Sequence, residues 1–161
     1  GALTGIAARA GAEVRYVKPH GALGNLAADD RAVAEAIVGA VAALPGRLAI
    51  LAISGTVLEQ LARAAGVPVY SEIFADRAYL PNGRLVPRSR EGAMLHDADE
   101  AAERLIRFLD SGRMPVLGGD PIPLSAQSVC VHGDSPGAVV MAQQVRSGLE
   151  RAGVTVAPFM S

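Results

Sequence analysis

The run Leu48-Ala49-Ile50-Leu51-Ala52-Ile53 is apolar at every position, the pattern of a strand covered on both of its faces. Helical spacing flanks it on either side. Before it, Asp29 or Asp30 can cap a helix carrying Val33, Ile37, Ala40, Val41 and Leu44, which Pro45-Gly46 stops. After it, Ser54-Gly55-Thr56 turns into a helix carrying Val57, Leu58, Leu61 and Ala65, ended by Gly66. A doubly covered strand between two helices calls for parallel pairing through right-handed crossovers.

The rest of the chain extends this alternation. Leu3 to Ala10 reads as the tail of a helix, Glu13 to Val17 as a strand, and Val67 to Tyr70 as another. Asp97 or Asp99 starts a helix through Leu105, Ile106 and Leu109, with Gly112 after its end. Met114–Leu117 and Ile122–Leu124 flank Gly118-Gly119-Asp120-Pro121 as a hairpin. Gln127–Val131 reads as a buried strand, Ser135-Pro136 as the opening of a helix running to about Ala152, and Val154–Ala157 as a last strand. The fold class is α/β. A doubly wound sheet and a β/α barrel both fit, and in either one function sits at the carboxyl ends of the strands.

Composition narrows the function classes. The 161 residues suffice for one domain, 1–161, with a real core. Aromatics make up only 4% and tryptophan is absent, so alanine, valine and leucine must fill that core. A net charge of −1 gives no reason to expect nucleic acid or an anionic membrane as partner. No apolar stretch is long enough to span a bilayer, and no signal-peptide pattern opens the chain, so a cytoplasmic location is expected. The lone Cys130 excludes an intramolecular disulfide and any multi-cysteine metal site, and its apolar setting reads as a buried inert thiol.

Charged residues gather where the apolar runs stop. Lys18-Pro19-His20-Gly21 sets an ammonium and an imidazole within three residues, able to neutralise an anion and to move a proton near neutral pH. Glu72 and Asp76 can form an acid/base pair, with Arg77 holding one of them ionised, and Arg77 or Tyr79 bracing the loop. Arg84, Arg88 and Arg90 read as solvated or surface-paired, and Pro81-Asn82-Gly83 as a turn. His132-Gly133-Asp134-Ser135-Pro136-Gly137 is a strand-to-helix turn able to hold an anion or simply to cap the helix. Ser54 lacks the flanking glycines of a nucleophile elbow, His96 beside Asp97 reads as a surface or capping residue, and the three histidines lack a metal-ligand spacing.

Taken together, VKPHGAL (Val17 to Leu23), EIFADRAYLPNGRLVPRSREGA (Glu72 to Ala93) and CVHGDSPGAV (Cys130 to Val139) resemble the LamB/YcsF family in order and spacing. The resemblance spans essentially the whole chain. It implies a β/α barrel of the glycoside hydrolase/deacetylase type. The implied activity is opening of the 5-oxoproline lactam to glutamate coupled to hydrolysis of ATP, with Mg2+, alongside B and C subunits of a 5-oxoprolinase. His20, Glu72, Asp76 and His132 are then the catalytic candidates, and Lys18, Arg77, Tyr79 and Asp134 the substrate-binding ones, with no metal ligand. A non-catalytic protein for binding or assembly, and a metal-dependent amidase or deacetylase acting on a lactam or sugar, are the alternatives. Self-association into a homo-oligomer is open.

Two departures accompany the resemblance. Family members carry an aromatic residue after the HGAL segment, where this chain has Gly24. They also begin with DLNCD-like and GFHAGD-like segments that this sequence lacks. The chain therefore reads as the carboxyl-terminal two-thirds or so of a full member, an incomplete barrel with open strand edges.

Overall fold

A computed structural model describes residues 1–134 and 137–160, and these fall into two units, Gly1–Tyr70 and Ser71–Ser161. In the first unit, the apolar run forms β2 (Ala49–Ile53), which pairs in parallel with β1 (Tyr16–Val17) in the register Tyr16↔Ala49 and Val17↔Ile50. The expected strand from Glu13 shrinks to these two residues plus one further bond, from the Ala49 N–H to the Arg15 carbonyl.

The helices of this unit form where their caps dictate. Asp30 accepts a hydrogen bond from the Val33 N–H and opens α3 (Arg31–Ala42). Thr56 opens α4 (Val57–Ala64), accepting from the Glu59 N–H while its hydroxyl donates to the Ile53 carbonyl. Glu59 reaches back to the Gly55 N–H at 2.6 Å, so both sides of this helix start are satisfied. Ile50, Ala52, Val38, Val41, Leu58 and Ala62 pack together as the core. As the composition requires, its members are small aliphatic residues.

Helix α1 (Ala2–Arg9) buries none of its residues, and Leu3 and Ile6 are exposed. Helix α2 (Gly21–Ala27) is not expected from the sequence, because two glycines in seven residues weaken the helical signal. Gly24 is explained by its packing. A Cβ at this position would lie 2.7 Å from the Pro19 carbonyl oxygen, so α2 rests backbone to backbone on the preceding loop. An aromatic residue here would have to displace the Pro19 peptide.

Strand β3 (Val69–Phe74) starts and ends later than expected. Pro68 lacks an N–H, and its carbonyl accepts from Ile50 at 2.8 Å. In the second unit, Ser71 to Phe74 continue as strand because they pair in parallel with β6 (Ser128–Cys130), in the register Glu72↔Ser128, Ile73↔Val129 and Phe74↔Cys130. Glu72 therefore stands within a strand and not in the polar loop where the sequence put it. Residues 75–97 then fold back through single bridges at Arg77↔Met94 and Tyr79↔Leu85.

Asp97 caps α5 (Ala98–Ser111), accepting from the Asp99 and Glu100 N–H groups, and Gly112 ends it at φ +67°. The short antiparallel pair β4 (Arg113–Met114) and β5 (Ile122–Pro123) forms a hairpin where one was expected, but its first strand ends at Met114 instead of running from Met114 to Leu117. Helix α6 (Ala138–Arg151) packs on α5, and Gly148 permits this because a Cβ there would stand 2.8 Å from the Ala102 Cβ. The helix start expected at Ser135-Pro136 lies outside the described residues. Val154–Ala157 is not a strand: the Val154 N–H bonds to the Leu149 carbonyl and ties this segment to the end of α6. No helix among the described residues is long and apolar enough to cross a membrane.

Candidate active site

The pairing of β3 with β6 determines which side chains meet. The last paired residues are Phe74 and Cys130, and the Ala75 N–H extends the ladder by bonding to the Cys130 carbonyl at 2.9 Å. Two residues further along each strand stand Asp76 and His132. Because side chains alternate with a period of two, both fall on the face already carrying Glu72 and Phe74. Asp76 and His132 accordingly meet. The His132 N–H donates to Asp76 Oδ2 at 3.1 Å, and His132 Nδ1 lies 3.0 and 2.9 Å from Oδ1 and Oδ2.

The pair is shielded from water. The Asp76 side chain is 4% exposed and that of His132 16%. The Phe74 ring stacks on the imidazole, with centroids 5.4 Å apart and planes 16° from parallel. With Nδ1 facing the carboxylate, the tautomer with its proton on Nδ1 is the favoured one, leaving Nε2 as an acceptor.

The loop bearing Asp76 is held from several sides. The Asp76 carbonyl accepts from the Leu95 N–H at 2.9 Å, and Ala78 bonds to Ala93 and Val86. Tyr79 is fully buried, and its hydroxyl accepts from the Phe74 N–H at 2.9 Å. Burial pushes the Tyr79 phenol far above its ordinary range. Arg77 is buried and donates to the Val86 carbonyl at 2.6 Å, and burial, with Arg88 nearby, lowers its guanidinium from the usual arginine value. Tyr79→Phe removes the acceptor of a buried N–H and is expected to cost about 1–3 kcal/mol of stability, read from chemical denaturation.

Asp134 does not join Asp76 and His132. It is exposed and pairs with Arg88 at 2.8 Å, which holds its carboxyl below the usual aspartate range. Its folded-state value being the lower one, this pair adds to stability above the ordinary carboxylate range and is lost as pH falls through the depressed value. Both partners are exposed, so Asp134→Asn is expected to leave the melting temperature at neutral pH unmoved within error. Glu72 is buried on β3 with the Ser128 hydroxyl 3.5 Å from its Oε1. In the first unit, Lys18 is half-buried and His20 is exposed at the N-terminus of α2, where its side chain makes no capping bond. Cys130 is half-buried in β6 and not fully buried as the sequence suggested, because its strand is covered on only part of its surface.

A cavity of about 300 Å³ opens beside Asp76, lined by Met94, Leu95, His96, Met141 and Gln144 among others. His96, read from the sequence as a surface residue, is exposed but borders this cavity. The sequence reading also missed Phe74 and Arg104. For Arg104 a signal existed: Ala101, Leu105 and Phe108 mark the buried stripe of α5, and position 104 lies within it. Among the described residues no three His, Cys, Asp or Glu side chains converge as a metal-binding group.

The likeness to known proteins is close. The sequence matches the LamB/YcsF family over residues 1–161. A 5-oxoprolinase A-type subunit of Agrobacterium fabrum is 46% identical over 161 residues, which is 100% of this chain and 63% of that protein. The corresponding 5-oxoprolinase A-type subunit of Nocardia farcinica is 49% identical over 99% of this chain and 64% of its own length. The crystal structure of the lactam utilization protein from Thermus thermophilus superposes with a TM-score of 0.87 at 42% identity, covering 97% of this chain and 62% of that one. The chain thus spans a little under two-thirds of the length of these relatives. A family match along the whole sequence and a shared fold at this identity lead to one conclusion: the chain belongs to the LamB/YcsF family.

Proposed function

We propose that this chain acts in an ATP-dependent 5-oxoprolinase, opening the lactam of 5-oxo-L-proline to L-glutamate beside B and C subunits in the cytoplasm, on a β/α barrel. The names of its relatives support the reaction class. The observation that carries the reading is the Asp76–His132 pair, whose Asp76 lines a cavity sized for a small ring.

Lactam opening needs a water oxygen to attack the carbonyl carbon, the C–N bond to break, and the ring nitrogen to gain a proton. His132 Nε2 accepts the proton of the attacking water and passes it to the leaving nitrogen, while Asp76 fixes the imidazole and stabilises its charged form. The carboxylate of the substrate would meet His96 and the first turn of α6, whose backbone N–H groups favour an anion. Glu72 is proposed to orient the ring nitrogen or water. Arg77 is proposed to stabilise anionic oxygens and Asp134 to bind substrate, whereas Tyr79, expected from the sequence to bind substrate, is fully buried with its hydroxyl on the Phe74 N–H and braces the loop instead.

ATP, with Mg2+, would activate the amide by passing its γ-phosphoryl group to the carbonyl oxygen and releasing ADP; once water has added and the C–N bond has broken, a second water would hydrolyse the resulting acyl phosphate to glutamate and phosphate. The cavity beside Asp76 has no lysine or arginine among its described lining residues, so it suits a small ring and not a triphosphate. The test is glutamate release from 5-oxoproline and ATP by the assembled complex. Release that requires this chain supports the reading, and equal release in its absence refutes it.

A further inference from the structure

Helix α5 contributes a residue that has no place in the chemistry above. Arg104 is 6% exposed, and among the described residues its guanidinium bonds to backbone carbonyls and to no carboxylate. Nη1 donates to the Arg77 carbonyl at 2.7 Å, and Nη2 donates to the carbonyls of Phe74 at 2.8 Å and Ala75 at 2.7 Å. These carbonyls bracket Asp76 on both sides. A buried cation is costly unless it is hydrogen-bonded; Nε has no partner among the described residues, so the three short bonds from Nη1 and Nη2 to one bend of backbone are what hold the guanidinium as a clamp. The planar fork of arginine can span three carbonyls, whereas a lysine ammonium on a flexible stem cannot reproduce that geometry.

The clamp acts at the point where register alone no longer suffices. The β3–β6 ladder ends at Phe74 and Ala75, one residue short of Asp76. Beyond it, the direction of the Asp76 side chain depends on the backbone around it: Arg104 holds the Ala75 carbonyl just before Asp76 and the Arg77 carbonyl one residue after it, while the Asp76 carbonyl is held by the Leu95 N–H. Its own atoms contact neither Asp76 Oδ nor His132 in any of its three bonds.

We propose that Arg104 is a positioning residue for the Asp76–His132 pair, its guanidinium locking the bend that aims the Asp76 carboxylate at the imidazole. This rests on the reading of that pair as the proton-transferring group. The position of the pair can nevertheless be measured without turnover.

The experiment compares the parent chain with Arg104→Lys and Arg104→Met. Hydrogen exchange of the His132 backbone amide and of its Nδ1 proton reports contact with Asp76, and circular dichroism reports folding. In folded variants both protons are expected to exchange about tenfold faster or more, since each loses a charge-assisted bond. In the assembled enzyme, kcat is expected to fall by a similar factor with KM nearly unchanged. Unchanged exchange in a folded Arg104→Lys variant overturns the proposal. If both variants unfold, the parent decides. Hindered, slowly exchanging Nη protons coupled to the carbonyls of Phe74, Ala75 and Arg77 support the clamp, and freely rotating ones overturn it. Should Asp76→Asn leave turnover intact, the catalytic reading fails while the clamp is still judged on exchange alone.

Discussion

Replacing His132 by alanine in the assembled enzyme is expected to lower ATP- and 5-oxoproline-dependent glutamate release about a hundredfold to ten-thousandfold, the range of a lost general base. The chain should remain folded, because the imidazole sits at a strand end and makes its contacts with Asp76 and the face of Phe74, outside the packed core. Asp76→Asn should cause a comparable loss by a different route. An asparagine amide can present either its oxygen or its nitrogen to Nδ1, so the imidazole is no longer restricted to the tautomer that leaves Nε2 as acceptor. Initial rates with circular dichroism as a folding control check both. Rates within a few-fold of the parent would remove His132 from the chemistry.

Ile50→Ala is expected to produce the largest loss of stability of any single core truncation in the first unit, about 2–5 kcal/mol. Ile50, the second residue of β2, is completely buried. Much of its surroundings consists of alanines, Ala27, Ala34, Ala52 and Ala62, whose methyl groups cannot extend into the space left behind. A site that cannot collapse keeps its cavity, and the cost lies towards the upper part of that range. Denaturant unfolding with an unchanged m-value would confirm it, while a loss below about 1 kcal/mol would mean the core repacks more freely than its composition allows.

The parallel α/β organisation could be read from the sequence because it rests on local signals. Caps at Asp30, Thr56 and Asp97 and the unbroken apolar run of β2 each specify their element without reference to distant residues. Where elements depend on partners, the sequence misled. Glu72 looked like a loop residue until pairing with Ser128 drew it into β3, and Val154–Ala157 looked like a strand although its backbone turns back on α6. Asp76 and His132 were both legible as polar residues at strand ends. That they touch was not, because it depends on a register linking positions 56 residues apart. Arg104 lay on the legible buried stripe of α5, but its role there was not legible: a charged residue on a helix is ordinarily solvated, and only the carbonyls of a remote bend explain its burial.

The most direct test is a titration of the isotopically labelled chain with 5-oxo-L-proline, following the histidine ring resonances. The account predicts saturable shifts at His96, which borders the cavity, and at His132, which pairs with the cavity-lining Asp76, the latter abolished by Asp76→Asn. Saturable binding that leaves both rings unmoved would contradict it.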